Sequence, residues 1–468
     1  MATLPISLDR GAAGPLYRQI VARLRTAILA GTLPAGSRLP SSRGLASQLG
    51  IARGTADAAY AVLAGEGVLL AQGSAGTVVS PHFAAPWVAA KARASAVARP
   101  GAHSPLRVPA LRMGLPALDA FPRKLWSRLA AREIRRTGPD ELAYPDPAGH
   151  RPLREAISAY LGISRGITVD PEQVWVTGGF QGALSLIASV VLRPGDAAWV
   201  EDPGYPPARD ALVAARARLV PVPVDRHGMK VDAAIARAPR ARLALLTPTH
   251  QSPLGVTLSL ERRLSLLAWA AKSNAWVLED DYDSEFRYMG HPLPALKSLD
   301  HADRVLFAGS FSKVLFPGLR IGYLVAPEPL TEDIARASRL VQLGQSGLEQ
   351  RVVASFMAEG HFARHLRRMR SLYAARRAAL AEALAALFGD RVTLELQAGG
   401  MHLIARFTDG IADTELARRA LAHGFAPTAL SSLAMEHACD QGLLLSFTNI
   451  AAAEAPAVAT RLAAAMRG

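Results

Sequence analysis

Five short apolar runs constrain this chain more than any other feature. They span residues 173–177, 197–200, 242–246, 275–278 and 304–307, and helical stretches separate them. A strand that is apolar throughout is buried on both faces, as in a mostly parallel sheet between helices. Ligands of such sheets gather beyond the strands' carboxyl ends. The residues just beyond each run are therefore the informative ones.

The first run leads into Gly178, Gly179, Phe180, Gln181 and Gly182, then a helix from Ala183. Glycine-flanked amides at a helix start suit a phosphate, and an ordinary tight turn reads the same way. The second leads to Tyr205, a ring-stacking or a structural tyrosine. The third leads into a polar turn, Thr247 to Gly255. The fourth leads into Glu279, Asp280, Asp281, Tyr282, Asp283, Ser284 and Glu285. Such acid density usually marks a solvated loop, but beside a buried strand a carboxylate can face a site. The fifth delivers Ser310, Ser312 and Lys313, with Arg320 seven residues further on. A lysine among apolar neighbours titrates low and attacks carbonyls. Ser310, Ser312 and Arg320 are phosphate-holding types. Alone, this loop also reads as a surface Ser-x-Ser-Lys turn. Jointly, the strand ends point to an aldehyde-bearing phosphorylated cofactor, pyridoxal 5'-phosphate (PLP). Asp280 would meet its pyridine nitrogen, Tyr282 its ring oxygen and Lys313 its aldehyde.

The first eighty residues have another texture. Leu16, Ile20, Leu24 and Ile28 recur at helical spacing, with Pro15 before them and Gly31 after. A turn-rich connection, 33–40, precedes a short helix that Ser41 or Ser42 can cap. A third helix, about Arg53 to Ala64, shows Ala56, Ala59, Tyr60 and Leu63 on one face. Residues 67–70 and 77–79 read as a hairpin. Three helices and a hairpin make a winged helix-turn-helix. Residues 1–80 hold seven Arg, no Lys and three acids, a net of about +4, which suits DNA. A small helical accessory domain is the competing reading. Residues 81–108 carry Pro86, Lys91, Arg93, Arg99, Pro100, Pro105 and Arg107 and read as a basic tether, with a helix conceivable over 87–98.

The 468 residues predict two or three domains, and the net charge of +14 favours an anionic partner. No apolar run is long enough to span a membrane. No secretory signal is evident, and a single cysteine, Cys439, permits no intrachain disulfide. A cytoplasmic setting is expected.

Residues 15–20, 36–43, 59–63 and 73–79 closely resemble the GntR-type winged-helix domain. The resemblance implies Arg38, Ser42, Arg43, Arg53 and Thr55 as DNA-facing positions, with the wing tip at Gly76 on the backbone. The family usually opens its recognition helix with Ser-Arg-Asn-Thr; here Ala52, Arg53, Gly54 and Thr55 stand there. Gly54 removes a base-reading side chain, and Asp57 either repels phosphate or pairs with an arginine.

Residues 144–155 and the strand-end blocks resemble class I/II aminotransferases. Thr249-His250-Gln251, residues 279–288 and residues 312–317 are similar to one branch, the MocR/GabR regulators. There a GntR-type domain is fused to an aminotransferase-like domain with a mostly parallel sheet and a smaller C-terminal α+β part. The resemblance implies domains at 1–80 and 109–468, Lys313 as the Schiff-base lysine and Asp280 at the pyridine nitrogen. It implies Tyr282 by the ring hydroxyl, Tyr205 on the ring, and Gly179, Phe180, Ser310, Ser312 and Arg320 on the phosphate. Tyr144 would reach the partner's cofactor in a homodimer. His250 or Gln251 would replace the asparagine of true aminotransferases. Leu444 stands where a carboxylate-gripping arginine is expected, and Ser252 replaces an aromatic before Pro253. Leucine makes no bidentate clamp. The reading is thus a transcription regulator that senses PLP itself or an amine or amino-acid adduct. The alternative is an active aminotransferase with an accessory N-terminal domain.

Overall fold

The computed structural model describes residues 6–11, 14–73, 76–81, 108–288, 293–341 and 344–467. The chain divides into two compact units, Met1–Leu106 and Arg107–Gly468. The expected tether, with its helix over 87–98, lies almost wholly outside the described residues.

In the first unit, α1 (Leu16–Leu29) follows Pro15 in extended backbone. Helix α2 (Ser42–Leu49) is capped by Ser41, whose Oγ accepts from Gly44 N at 3.1 Å, and Gly50 ends it in the left-handed region. Helix α3 spans Arg53–Gly65. Ile20, Leu24, Leu45, Ala59 and Leu63 meet in a closed apolar core, each large side chain contributing roughly 1.5–3 kcal/mol by burial. Strands β1 (Arg38–Leu39), β2 (Leu69–Ala71) and β3 (Thr77–Val79) form an antiparallel sheet in the order β1-β3-β2. The sequence shows only a turn where β1 lies, because two residues are too few to display alternation.

The second unit is built on an eight-stranded sheet. Its strands are β4 (Val174–Thr177), β5 (Ala197–Asp202), β6 (Arg218–Asp225), β7 (Gly228–Met229), β8 (Leu243–Leu246), β9 (Trp276–Asp281), β10 (Val305–Ser310) and β11 (Gly322–Val325), in the order β4-β11-β10-β9-β8-β5-β6-β7. The β10-β9-β8-β5-β6 core is parallel. Helices α4 (Arg123–Arg136) and α5 (Arg151–Arg165) precede β4, and α6 (Phe180–Val191), α7 (Pro206–Ala214), α8 (Val231–Arg237) and α9 (Leu260–Ser273) fall between strands. Alternation inside each apolar run feeds two cores. Ala198, Val200, Leu278 and Leu306 pack with Leu184, Ile187 and Leu212 on one face. Trp199, Val277 and Val305 pack with Val231, Leu266 and Trp269 on the other.

The five expected strands are all present, and three more were not read from the sequence. Strand β11 runs antiparallel between β4 and β10, so β4 points the same way as β10. It opens on a glycine directly after the lysine loop, which hid it. Strand β6 carries Pro221 and Pro223, which argue against a strand; β7 is only two residues long.

Beyond the sheet come α10 (Thr331–Val341), α11 (Gly347–Ala358) and the long α12 (His361–Phe388), then α13 (Asp413–Ala422) and α14 (Ala455–Arg467). Helices α12, α13 and α14 cover an antiparallel sheet of β12 (Val392–Glu395), β13 (His402–Phe407), β14 (Thr428–Ala429) and β15 (Leu443–Ser446), in the order β12-β13-β15-β14. This is the smaller C-terminal α+β part. Leu111 bridges to Ser446 and Ala110 to Phe425, laying the unit's first residues along this sheet. No helix among the described residues is long and apolar enough to cross a membrane.

Candidate functional site

Strands β4, β5, β8, β9 and β10 end on one side of the sheet, and a cleft of about 350 Å³ opens there. Its wall includes Phe180, Tyr205, Ser252, Asp280, Tyr282, Ser310, Ser312, Lys313 and Arg320. The fold thus brings together, at the strand ends, residues up to 140 positions apart in sequence, from Phe180 to Arg320.

Lys313 follows β10 in a loop held by buried Phe311, Val314 and Leu315. His365 Nε2 lies 2.8 Å from Val314 O and pins that loop. Lys313 Nζ donates to Gly114 O at 2.8 Å. Burial lowers the lysine's pKa, with Asp280 and Asp283 opposing the shift. A low-titrating amine facing a cleft is a carbonyl nucleophile. Gly114 has a φ of +78°, a conformation that residues with side chains rarely adopt, so this position favours glycine.

The acids after the fourth apolar run begin as strand residues, not loop residues, because β9 extends to Asp281. Alternation then sorts them. Glu279 faces away from the cleft and accepts from Leu296 N and Lys297 N, both at 2.9 Å. Asp281 accepts from buried Arg165 Nε at 2.6 Å. Asp280 points into the cleft, where no hydrogen-bond donor among the described residues meets its carboxylate. Burial pushes its pKa well up, and neighbouring Asp281 pushes the same way while Lys313 opposes. A cationic ring nitrogen would offset that cost directly.

Tyr282 OH lies 3.0 Å from His250 Nδ1, and that nitrogen lies 2.9 Å from Asp283 Oδ1. Ser252 and Tyr282 both line the cleft. Neither His250 nor Gln251, the expected replacements for the asparagine, is part of the cleft wall. Gln251 is buried, with Nε2 donating to Pro203 O and Ser252 O and Oε1 accepting from Leu254 N, at 2.8–2.9 Å. Its amide is occupied in bracing two turns. His250 acts one residue behind Tyr282.

At the start of α6, Gly179 has a φ of +78° and precedes the first-turn amides of Phe180 and Gln181. Such amides have no intrahelical acceptor. Arg320 donates to Gly178 O at 2.9 Å and holds a left-handed φ of 52°, unusual for a side-chain-bearing residue. Ser310 Oγ accepts from Ser312 N at 3.1 Å. The buried Gln181 Nε2 meets no hydrogen-bond partner among the described residues. Amides, hydroxyls and a guanidinium around an open corner form an anion cradle. Tyr205 lies 6.3 Å from Phe180, ring centre to ring centre. Tyr144 is 96% exposed and takes no part in this chain's own cleft.

More of the wall comes from segments that sequence reasoning did not assign: Met113, Gly114, Met401, His402, Thr428 and Leu433. They arrive by long-range pairing of the C-terminal sheet, for which no local pattern exists. Leu444 sits in β15 opposite Ile404 and Thr428, is 0% exposed, and joins an apolar group with Ile404 and Leu430. His402 Nε2 donates to Pro253 O across 2.9 Å, and burial, helped by His250, pulls its pKa down to about 4. The ring is neutral, and its Nδ1 is an acceptor.

In the first unit, Arg38, Arg43 and Arg53 are exposed or half-exposed, as are Ser42 and Thr55. Gly76 has a φ of +95°, and a Cβ there would meet Arg38 Nε at 3.2 Å, so the arginine lies along the wing. Asp57 pairs with Arg53 at 3.4 Å, both side chains being exposed.

Residues 120–439 match the aminotransferase class I and II family, and residues 16–79 match the bacterial regulatory proteins of the gntR family. The chain is 39% identical over 460 residues to the probable rhizopine catabolism regulatory protein MocR of Rhizobium meliloti, covering 95% of this chain and 92% of that protein. The chain belongs to the MocR-type family. Its members join a gntR-type domain to an aminotransferase class I and II domain. The chain is also 34% identical to the HTH-type pyridoxine biosynthesis transcriptional regulator PdxR of Corynebacterium glutamicum, over 96% of this chain and 95% of that one. Among solved structures it resembles the Pyrococcus horikoshii kynurenine aminotransferase determined with PMP, at 30% identity and a TM-score of 0.69, covering 76% of this chain and 90% of that one. LysN, the α-aminoadipate aminotransferase of Thermus thermophilus, aligns at 30% identity and a TM-score of 0.69, over 77% and 92%.

Proposed function

We propose that this chain is a DNA-binding transcription regulator whose second unit holds PLP through Lys313 and uses it to sense a small molecule. The observation that carries the reading is the cleft itself: a low-titrating lysine, an unpaired buried carboxylate and an anion cradle meet at five strand ends. When bound, PLP supplies an aldehyde that captures amines and an electron-withdrawing ring. Asp280 keeps a proton on the ring nitrogen, and that proton neutralises a carboxylate otherwise costly to bury. Tyr282 and Ser252 bond the ring oxygen, with His250 and Asp283 fixing the tyrosine. Tyr205 covers the ring. Gly179, Phe180, Ser310, Ser312 and Arg320 hold the phosphate. Exposed Tyr144 reaches the cleft of a second copy in a cytoplasmic homodimer.

The first unit, over about 1–80, binds double-stranded DNA through Arg38, Ser42, Arg43, Arg53, Thr55 and Gly76. A linker over 81–108 leads to the PLP unit at 109–468. The alternative, a working aminotransferase, is disfavoured by Leu444, which cannot orient a substrate carboxylate.

Absorption spectroscopy tests the cofactor assignment. Purified protein incubated with PLP and desalted should be yellow, and Lys313→Ala should lose or shift the visible band. A colourless wild type, or an unchanged band in the variant, would refute it.

A further inference from the structure

Beyond Lys313 the cleft has a second half that the PLP assignment leaves unused. Met113, Met401, Leu433 and Leu444 form its apolar wall. Its polar atoms are acceptors or neutral groups: His402 Nδ1, freed because Nε2 donates to Pro253 O, and the Thr428 hydroxyl. Asp283 is a further acid in the lining, beside Asp280, which the ring nitrogen neutralises. The cations among the lining residues are Lys313 and Arg320. Arg320 is committed to the α6 corner through Gly178 O, and Lys313 is the bond-forming group.

A carboxylate placed against Leu444 would lose its water and gain no cation. Burying an unpaired charge this way is strongly unfavourable. An alkyl or aryl group placed there gains by contact and desolvation. An amine nitrogen at the Lys313 end needs no counter-cation and can exchange with the lysine.

From this juxtaposition we infer that the ligand sensed by the cleft is a primary amine with an apolar substituent and no carboxylate. The inference rests on the PLP reading and narrows it. Binding exchanges one C–N bond for another at the cofactor's aldehyde carbon. The ligand nitrogen bonds there as the Lys313 bond breaks, and two protons pass from the ligand nitrogen to Nζ, which leaves as the free amine. No oxidant, reductant or water is consumed.

The test uses the full-length protein loaded with PLP. Its visible band, and in parallel the heat of binding, are followed while matched pairs are added: isoamylamine against L-leucine, and phenethylamine against L-phenylalanine. Each amine should reach half-effect at a concentration at least about tenfold below its amino acid. Leu444→Arg, which adds a clamp at the wall, should erase or reverse that preference by about tenfold. Amino acids acting at equal or lower concentration than the amines would overturn the inference. So would amines that leave the band and the heat unchanged while PLP is bound through Lys313. The wild-type comparison decides by itself if the variant does not fold. Failure of the PLP reading is seen separately, before any ligand is added, as absence of the Lys313-dependent band, and it would take this inference with it.

Discussion

Glu201 and Asp280 come from β5 and β9, yet they line one small pocket beneath the cleft, together with Thr247 and Ser252. Glu201 accepts from Thr247 N at 3.0 Å and Thr247 Oγ1 at 2.7 Å, but burial still pushes its pKa from 4.5 up to about 7. A raised carboxyl pKa means that the folded state holds the proton more tightly than the unfolded chain. The stability this gives is full below the unfolded value and is lost as pH rises through about 7. Glu201→Gln keeps the acceptor and removes the ionisation. Wild type and variant should unfold alike near pH 4, and the variant should become more stable by up to about 3 kcal/mol near pH 8. Denaturant titrations at both pH values measure this; a gap that does not widen with pH would place the ionisation elsewhere. At this scale the sequence was readable where one residue type has one chemical use. Lys313, Asp280 and Tyr282 follow from strand ends and cofactor chemistry. Gln251 and Ser252 do not, because a turn decides which neighbour faces the cleft, and either fits the pattern of types.

Helix α3 carries the element-scale consequence. Its N-cap, Ala52, offers no side-chain bond, and its first turn contains Gly54, so little besides packing fixes its start. Its exposed Arg53–Asp57 pair has a separation of 3.4 Å; such surface pairs contribute roughly 0–1 kcal/mol. On the proposed DNA-facing role of α3, the carboxylate costs affinity more than it adds stability. Asp57→Ala should tighten binding several-fold, whereas Arg43→Ala and Arg53→Ala should each weaken it and lower the salt slope by about one. Fluorescence anisotropy across a salt series separates these outcomes; unchanged slopes for both arginine variants would remove them from the interface. The helices were legible because apolar spacing and stop glycines agree. Strands β1 and β11 were not: one is too short for a period, and the other is defined by its neighbours in the sheet.

At the scale of the whole molecule, the sequence separates a basic winged-helix stretch from an α/β texture, but not how binding in one unit is felt in the other. Inside the second unit, one tie spans the cleft. Asp202 at the end of β5 accepts from Met435, Glu436 and His437 N at 2.7–2.9 Å, and Arg209 donates to Leu433 O at 2.6 Å. Leu433 also lines the apolar wall, so a ligand there presses on a segment bonded to the large sheet. If that pressure selects between states with different DNA affinity, linkage makes the effect reciprocal. DNA affinity should differ among apo, PLP-loaded and amine-treated protein. The factor by which isoamylamine changes DNA binding must equal the factor by which DNA changes isoamylamine half-saturation. Anisotropy gives the first factor and the visible band the second. Equal DNA affinity in all three states would disprove the coupling while leaving the cofactor and ligand assignments intact. Two unequal factors would show that the amine acts on DNA binding outside the Lys313 cleft.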